Sequence, residues 1–307
     1  MHQNHRFQFT AMTVPCEISV LGGPRKTSEA LAKAIHHSAK TLEKTYNFYA
    51  TGSWLSQKVN QRILSRVLLT PEQLNIFKRM RHLCEQTQGL FDPTIGTIKQ
   101  AAHLSPNASR EQLLNELQPA MGLNAWSLEG DYLVFTDDRT AFDLGGVMKE
   151  HAVDIAASLA TQAGANCLIN YGGDMHVKGR KANGDYVTIG IKDPLATDKI
   201  LCSLAIENAG LTTSGYYERT LTIGGKEGAH IINNQPLANH SISPQQRPNH
   251  DILSATVIAP TTLEAGVFST ALMLNPTLHV PDHIQYLAIG PDKKIYSNLP
   301  STPHTVK

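Results

Sequence analysis

Apolar positions recur at two different periods along the chain, and the switches between them outline the fold. Phe7 to Leu21 alternates loosely, which predicts a strand closed by Gly22-Gly23-Pro24. From Ser28 to Tyr46 the period lengthens. Leu31, Ala34, Ile35, Ser38 and Leu42 fall on one helical face, and Ser28 is placed to cap it. Thr70-Pro71-Glu72 has the form of a helix start, with the hydroxyl at the cap and proline at the first helical position. This helix is expected to reach about Thr87 and to end at Gly89. Pro93 restrains Asp92 to an extended shape, so Leu90 to Gly96 predicts an ordered loop. Residues 100–120 continue in a helical pattern, within a helical excursion over about 61–118. Residues 125–143 then read as two short strands around Glu129-Gly130-Asp131.

The stretch 142–176 organises the rest. Phe142-Asp143-Leu144 reads as a strand running into Gly145-Gly146. A helix is predicted from near Val147, with Val153, Ala156, Ala160 and Ala163 on one stripe and Gly164 at its C-cap. Asn166 to Tyr171 reads as a buried strand, ended by Gly172-Gly173-Asp174. Glycines at a strand-to-helix junction let the backbone approach a ligand closely, and the positive end of a helix suits a phosphate. Lys149, in the first turn, adds a charge. The spacing is neither GxGxxG nor GxxxxGK[ST], so the residues leave two readings open: a nucleotide cradle, or glycines that simply turn the chain.

Downstream, Tyr186–Lys192 and Leu201–Glu207 read as strands, and Leu211 to Tyr216 as a polar turn rich in small hydroxyls. Residues 235–250 read as a loop, Ser254–Ala259 as a strand, Thr262–Met273 as a helix and Leu287–Ser297 as a last strand pair. The order of elements is mixed α+β. Composition changes this picture little. The 307 residues are 17% charged and 41% hydrophobic, as in a globular chain with a sizeable core. A formal net charge of +1 without a charge run argues against a nucleic-acid or lipid surface. Fourteen histidines are scattered without metal-ligand spacing, and the four cysteines lie far apart; Cys167 reads as a small core residue. Neither a signal-type apolar region nor a bilayer-length run is present, so a cytoplasmic protein without a membrane span is expected. Tyr49 is open to two readings, core packing or a stacking surface for a planar ring.

Taken in order, several short motifs become specific together: Tyr46 to Tyr49, Gly89-Leu90-Phe91-Asp92-Pro93-Thr94, Asp143-Leu144-Gly145-Gly146 with Lys149 and Asp154, Asn170-Tyr171-Gly172-Gly173-Asp174, Thr213-Ser214-Gly215, and His230-Ile231-Ile232. This set resembles the ApbE-like family of FAD:protein FMN transferases over nearly the whole chain. The resemblance implies one T-fold-like α+β domain over 1–307, two-lobed, with FAD in the inter-lobe cleft. It implies transfer of FMN from FAD to a threonine or serine hydroxyl of an acceptor protein, with release of AMP and assistance from Mg²⁺. By the same resemblance Phe91, Asp92 and Thr94 form the adenine-side loop, with Tyr49 as ring partner. Met12, Asp143, Gly145, Gly146, Lys149, Asp154, Gly172, Gly173, Asp174, Ser214 and Gly215 line the nucleotide. His230 and Lys149 take the catalytic roles, His230 as a base or phosphate contact, and Met148 (by its carbonyl) and Thr270 hold the metal.

The departures from the family pattern fall at the chemistry. The late-helix pattern A-D-A-x-[AS]-T is Ala265-Gly266-Val267-Phe268-Ser269-Thr270 here, so glycine stands where the metal-binding aspartate is expected. Glu264, two residues away, points elsewhere on a helix. The Lys-Gly pair at the glycine turn is Lys149-Glu150, the Asp-Pro after the histidine is Asn233-Asn234, and the N-terminal Met-Gly-Thr is Met12-Thr13-Val14. Losing a hard anionic ligand weakens a Mg²⁺ site. An alternative reading is therefore a catalytically impaired FAD-binding protein that serves as carrier, sensor or partner subunit. Hydrolysis of the FAD pyrophosphate, a third reading, needs the same metal.

Overall fold

The computed structural model describes residues 3–215, 220–223, 226–229 and 252–300. In chain order, β1 (His5–Ala11) and β2 (Val14–Val20) precede α1 (Arg25–Tyr46). β3 (Arg66–Leu68), α2 (Pro71–Gln86), α3 (Gly96–Leu104) and α4 (Arg110–Leu117) follow, then β4 (Trp126–Glu129) and β5 (Tyr132–Phe135). α5 (Gly145–Gln162) leads into β6 (Cys167–Tyr171), β7 (Asp174–Lys178), β8 (Val187–Asp193), β9 (Ala196–Ile206) and β10 (Ala209–Gly215). β11 (Thr220–Ile223), β12 (Lys226–Ala229), β13 (Ser254–Ala259), α6 (Thr262–Leu274), β14 (Gln285–Ile289) and β15 (Ile295–Ser297) complete it. By its contacts the chain divides into two units, one of residues 1–44, 145–215 and 252–307, the other of residues 45–144 and 216–251.

The first unit is built on an eight-stranded antiparallel sheet in the order β1-β2-β6-β7-β10-β13-β14-β15. Every residue of β13 is buried, which requires cover on both faces of the sheet. On one face, Val177, Leu211, Ile258, Leu287 and Ile289 pack against Val187, Ile189, Ile191, Leu204 and Ile206 of the β8–β9 hairpin. The alternate residues of β7 and β10 meet the helices: His176 reaches Thr262, and Ser214 reaches Ser269. At Gly210 a Cβ would lie 2.4 Å from the Thr262 nitrogen, so only glycine lets α6 start so close to the sheet.

The second unit carries a small sheet, β3-β5-β4, and an aromatic core in which Trp54, Phe77, Trp126, Phe135 and Phe142 meet edge to face. α2 begins as expected, with a reciprocal capping box between Thr70 and Gln73 and proline in the first turn, and Gly89 follows its end at φ +75°. Ile98, Leu113, Leu117 and Met121 give the α3–α4 excursion its own small core.

Five local expectations are corrected. Residues 7–21 form a hairpin, not one strand, because Met12 and Thr13 both turn with positive φ, 51° and 64°. Helix α1 starts at Arg25, and Ser28 lies inside its first turn with its N–H and hydroxyl both donating to the Pro24 carbonyl. Phe142 belongs to no sheet; the Asn60 side-chain amide donates to its carbonyl and accepts from its N–H, doing the work of a neighbouring strand. Residues 211–215 are part of the central strand β10. Two of its hydroxyls find partners there, Thr213 with Thr256 and Ser214 with Ser269, both at 2.8 Å, and Thr212 between Leu211 and Thr213 is buried. Ala163 is exposed beyond the end of α5, whereas Val153, Ala156 and Ala160 face inward.

A β-branched threonine in the left-handed region is strained. Thr13→Gly is expected to raise stability by about 1 kcal/mol through relief of that strain, seen as a higher urea midpoint with an unchanged slope.

Candidate functional site

In the first unit the site residues gather where α5 crosses α6. The Asp154 carboxylate accepts from the first two backbone amides of α6, Thr262 N–H at 2.6 Å and Leu263 N–H at 3.1 Å. Those amides have no intrahelical acceptor, and a carboxylate at the positive helix end satisfies both hydrogen bonding and dipole. Thr261 caps the next amide, that of Glu264, and donates its hydroxyl to the Glu264 carboxylate at 2.8 Å. Glu264 is thus occupied at the helix cap. The His176 Nδ1 lies 3.3 Å from the Thr262 hydroxyl and 3.8 Å from Asp154. Burial, with Lys178 adding to it, pushes His176 down from 6.5 to about 4 and leaves the ring neutral.

One turn back along α5 and one turn on along α6, Glu150 meets Gly266. A Cβ at Gly266 would lie 2.7 Å from Glu150 Cγ, 3.2 Å from Cδ and 3.2 Å from Oε1. The Glu150 side chain therefore fills the space a side chain at position 266 would take. Glu150 is only 5% exposed. Its neighbour Lys149 forms an ion pair with Asp174, at the end of the second glycine turn, and lies 3.9 Å from Glu150. By the same four-residue spacing, the next positions along the interface are Gly146 on α5 and Thr270 on α6. Gly145 and Gly146 are exposed at the start of α5, and Met148 is buried in its first turn.

The remaining predicted residues of this unit flank the interface. Gly172 and Gly173 turn with φ of +61° and +105°, and Asn170 accepts from the Gly173 N–H. Ser214 shares a 2.8 Å hydrogen bond with Ser269, whose hydroxyl also bonds the Gly266 carbonyl at 3.0 Å; Gly215 ends β10 beside it. Met12 sits at the β1–β2 turn, its N–H donating to Glu43 at 2.8 Å.

The second unit holds the other predicted set. Asp92 is a loop brace: one oxygen accepts from the Thr94 N–H and hydroxyl, the other from the Gly122 N–H at 3.1 Å. Burial raises Asp92 against the opposing pull of those hydrogen bonds. Asp143 is paired with Lys99, and its N–H donates to the Pro93 carbonyl, which ties the two motif loops together. At Gly96 a Cβ would lie 2.6 Å from the Phe142 backbone, so this contact also demands glycine. Phe91 is buried, whereas Tyr49 is 76% exposed, its ring edge-on to Phe48. Core packing is thus excluded for Tyr49. His230 lies outside the described residues, as do residues 235–250.

Sequence reasoning missed Glu150, noted only as a departure, and Ser269, His176 and Lys99. The signal for Glu150 was available: a new carboxylate four residues before Asp154 accompanied the lost one at 266. Among the described residues, no three His, Cys, Asp or Glu side chains cluster as a metal site. No helix there is long and apolar enough to cross a membrane.

A model of the ApbE family matches residues 12–288. The FAD:protein FMN transferase of Haemophilus influenzae is 25% identical over 266 residues, 82% of this chain and 75% of that protein. The enzyme of the same name from Escherichia coli K12 is 26% identical over 270 residues, 83% and 74% of the two chains. Among solved structures, the ApbE protein of Thermotoga maritima matches with a TM-score of 0.80 at 22% identity, covering 96% of this chain and 97% of its own. The flavin transferase ApbE of Vibrio cholerae matches with a TM-score of 0.80 at 21% identity, covering 97% of each.

Two measurements check the α5–α6 junction. Asp154→Ala is expected to cost about 2–3 kcal/mol in urea unfolding, because it leaves two amides unsatisfied, and Asp154→Asn less. The unfolded state protonates its histidine near 6.5 while the folded His176 waits until about 4. Stability therefore falls as pH drops through that window, by up to about 3 kcal/mol. His176→Gln is expected to flatten that part of a plot of urea midpoint against pH.

Proposed function

The chain belongs to the ApbE family, and from that premise we propose that it is an FAD:protein FMN transferase. The substrates are FAD and an acceptor protein that offers a threonine or serine hydroxyl. The acceptor oxygen attacks the phosphorus on the FMN side of the pyrophosphate. A new P–O bond forms, the bridging P–O bond breaks, and AMP leaves with the electron pair. The hydroxyl proton passes to a base, the role the resemblance gives to His230.

The described residues support parts of this reaction. α5 opens with two exposed glycines, so a pyrophosphate can approach the positive end of an 18-residue helix. Lys149 is held at that end by Asp174 and offers its charge to the same anion. Tyr49, exposed in the second unit, is suited to stacking on a planar ring. Mg²⁺, when bound, neutralises charge on the pyrophosphate and stabilises the leaving phosphate. Its holders would be the Met148 carbonyl, the Thr270 hydroxyl and one carboxylate, all hard oxygens.

The observation that carries the reading is the contact of Glu150 with Gly266. It keeps a carboxylate at the α5–α6 interface, which favours the active enzyme over an impaired FAD-binding relative.

The test is purified protein with FAD, Mg²⁺ and a flavin-acceptor domain, read by in-gel flavin fluorescence and by chromatography of AMP. Mg²⁺-dependent labelling with matching AMP is expected, reduced at least a hundredfold, about 3 kcal/mol in barrier, by Lys149→Met or His230→Ala. FAD binding without FMN transfer or AMP would leave the impaired relative as the better account. A chain that binds no FAD overturns both.

A further inference from the structure

We propose that positions 150 and 266 have exchanged the site carboxylate between helices, so that Glu150, reaching across from α5, is the acidic ligand for the divalent cation. This inference rests on the transferase reading above.

Three observations on the structure support it. First, the space beyond Gly266 is taken up by a specific side chain: Glu150 Cδ and Oε1 both lie 3.2 Å from where a Cβ at 266 would stand. An aspartate on α6 would project its carboxylate from that same point, one bond further on. The longer glutamate thus brings its oxygens to the neighbourhood from the opposite helix. Second, Glu150 is buried, and burial of a carboxylate is costly unless cations share its surroundings. Lys149 is one cation nearby, and it also pairs with Asp174. A divalent cation shared with the glutamate would offset that cost further. Third, the neighbouring α6 positions supply the companion oxygens. Thr270 is one turn beyond Gly266 on the same face. The Gly266 carbonyl, by contrast, is held by the Ser269 hydroxyl. Glu264 is committed to the Thr261 cap, with His283 3.5 Å from its carboxylate, and so does not compete for the role.

The exchange has a steric corollary. A side chain at 266 forces Glu150 to shift, because a Cβ there comes within 2.7 Å of Glu150 Cγ. Restoring aspartate at 266 alone crowds Glu150 instead of rebuilding the site.

The experiment titrates Mg²⁺ by calorimetry into the FAD-loaded full chain, and Mn²⁺ by electron paramagnetic resonance as a second probe. FAD binding is measured separately, without metal, by flavin fluorescence. Four proteins are compared: wild type, Glu150→Gln, Gly266→Asp, and the double exchange Glu150→Gly with Gly266→Asp. One bound cation is expected for wild type. Glu150→Gln should bind it at least tenfold more weakly while keeping its FAD affinity without metal and its melting temperature. Gly266→Asp alone should melt at a lower temperature. The double exchange should recover cation affinity to within a few-fold of wild type. Unchanged affinity in Glu150→Gln, no recovery in the double exchange, or no cation on FAD-loaded wild type would each overturn the exchange and leave FAD binding intact. Loss of FAD binding in wild type itself would sink the transferase reading, and this inference with it.

Discussion

The carboxylate of Asp154, shared between the first two backbone amides of α6, sets the register of the helix pair on which the first unit depends. A helix start cannot be buried with its amides unsatisfied. α6 begins in a buried position, with Gly210 of the central sheet directly beneath it. Asp154 makes that position tenable. Once Thr262 is fixed against Asp154, the helical step of four residues determines the remaining meetings. Glu150 has to face Gly266, and the start of α5 has to face the second half of α6. A role in lining the nucleotide, implied for Asp154 by resemblance, is thus joined by a structural one.

The same logic of committed oxygens runs through the second unit. Asp92 and Thr94 brace each other and Gly122, and Asn60 stands in for a strand beside Phe142. Lys99 and the Pro93 carbonyl hold Asp143. Polar side chains do here what sheet ladders do in the first unit. The motif residues of this unit shape a loop, and the exposed group is the Tyr49 ring.

The α+β class, the α2 cap, the glycine turns and the helix–strand unit at 145–171 were all legible in the sequence, because each rests on local chemistry: a capping hydroxyl, a proline, a period of apolar residues. Most of what escaped was set by distant partners. Strand β10 reads as a turn because it carries a run of small hydroxyls, and the partners of two of them, Thr256 for Thr213 and Ser269 for Ser214, lie elsewhere in the chain. The hairpin at Met12-Thr13 escaped because its turn residues lack the usual glycine or asparagine. Position 266 was legible as a loss. That Glu150 occupies the vacated volume needed the crossing of two helices 116 positions apart in sequence, which no local pattern encodes.

The contact at Gly266 also couples the two positions. A 2.7 Å approach makes a side chain at 266 and the glutamate at 150 compete for one volume, so one of them has to shift when both are present. The effect of a substitution at either position therefore depends on which residue stands at the other, and the two positions behave as one unit rather than as independent sites.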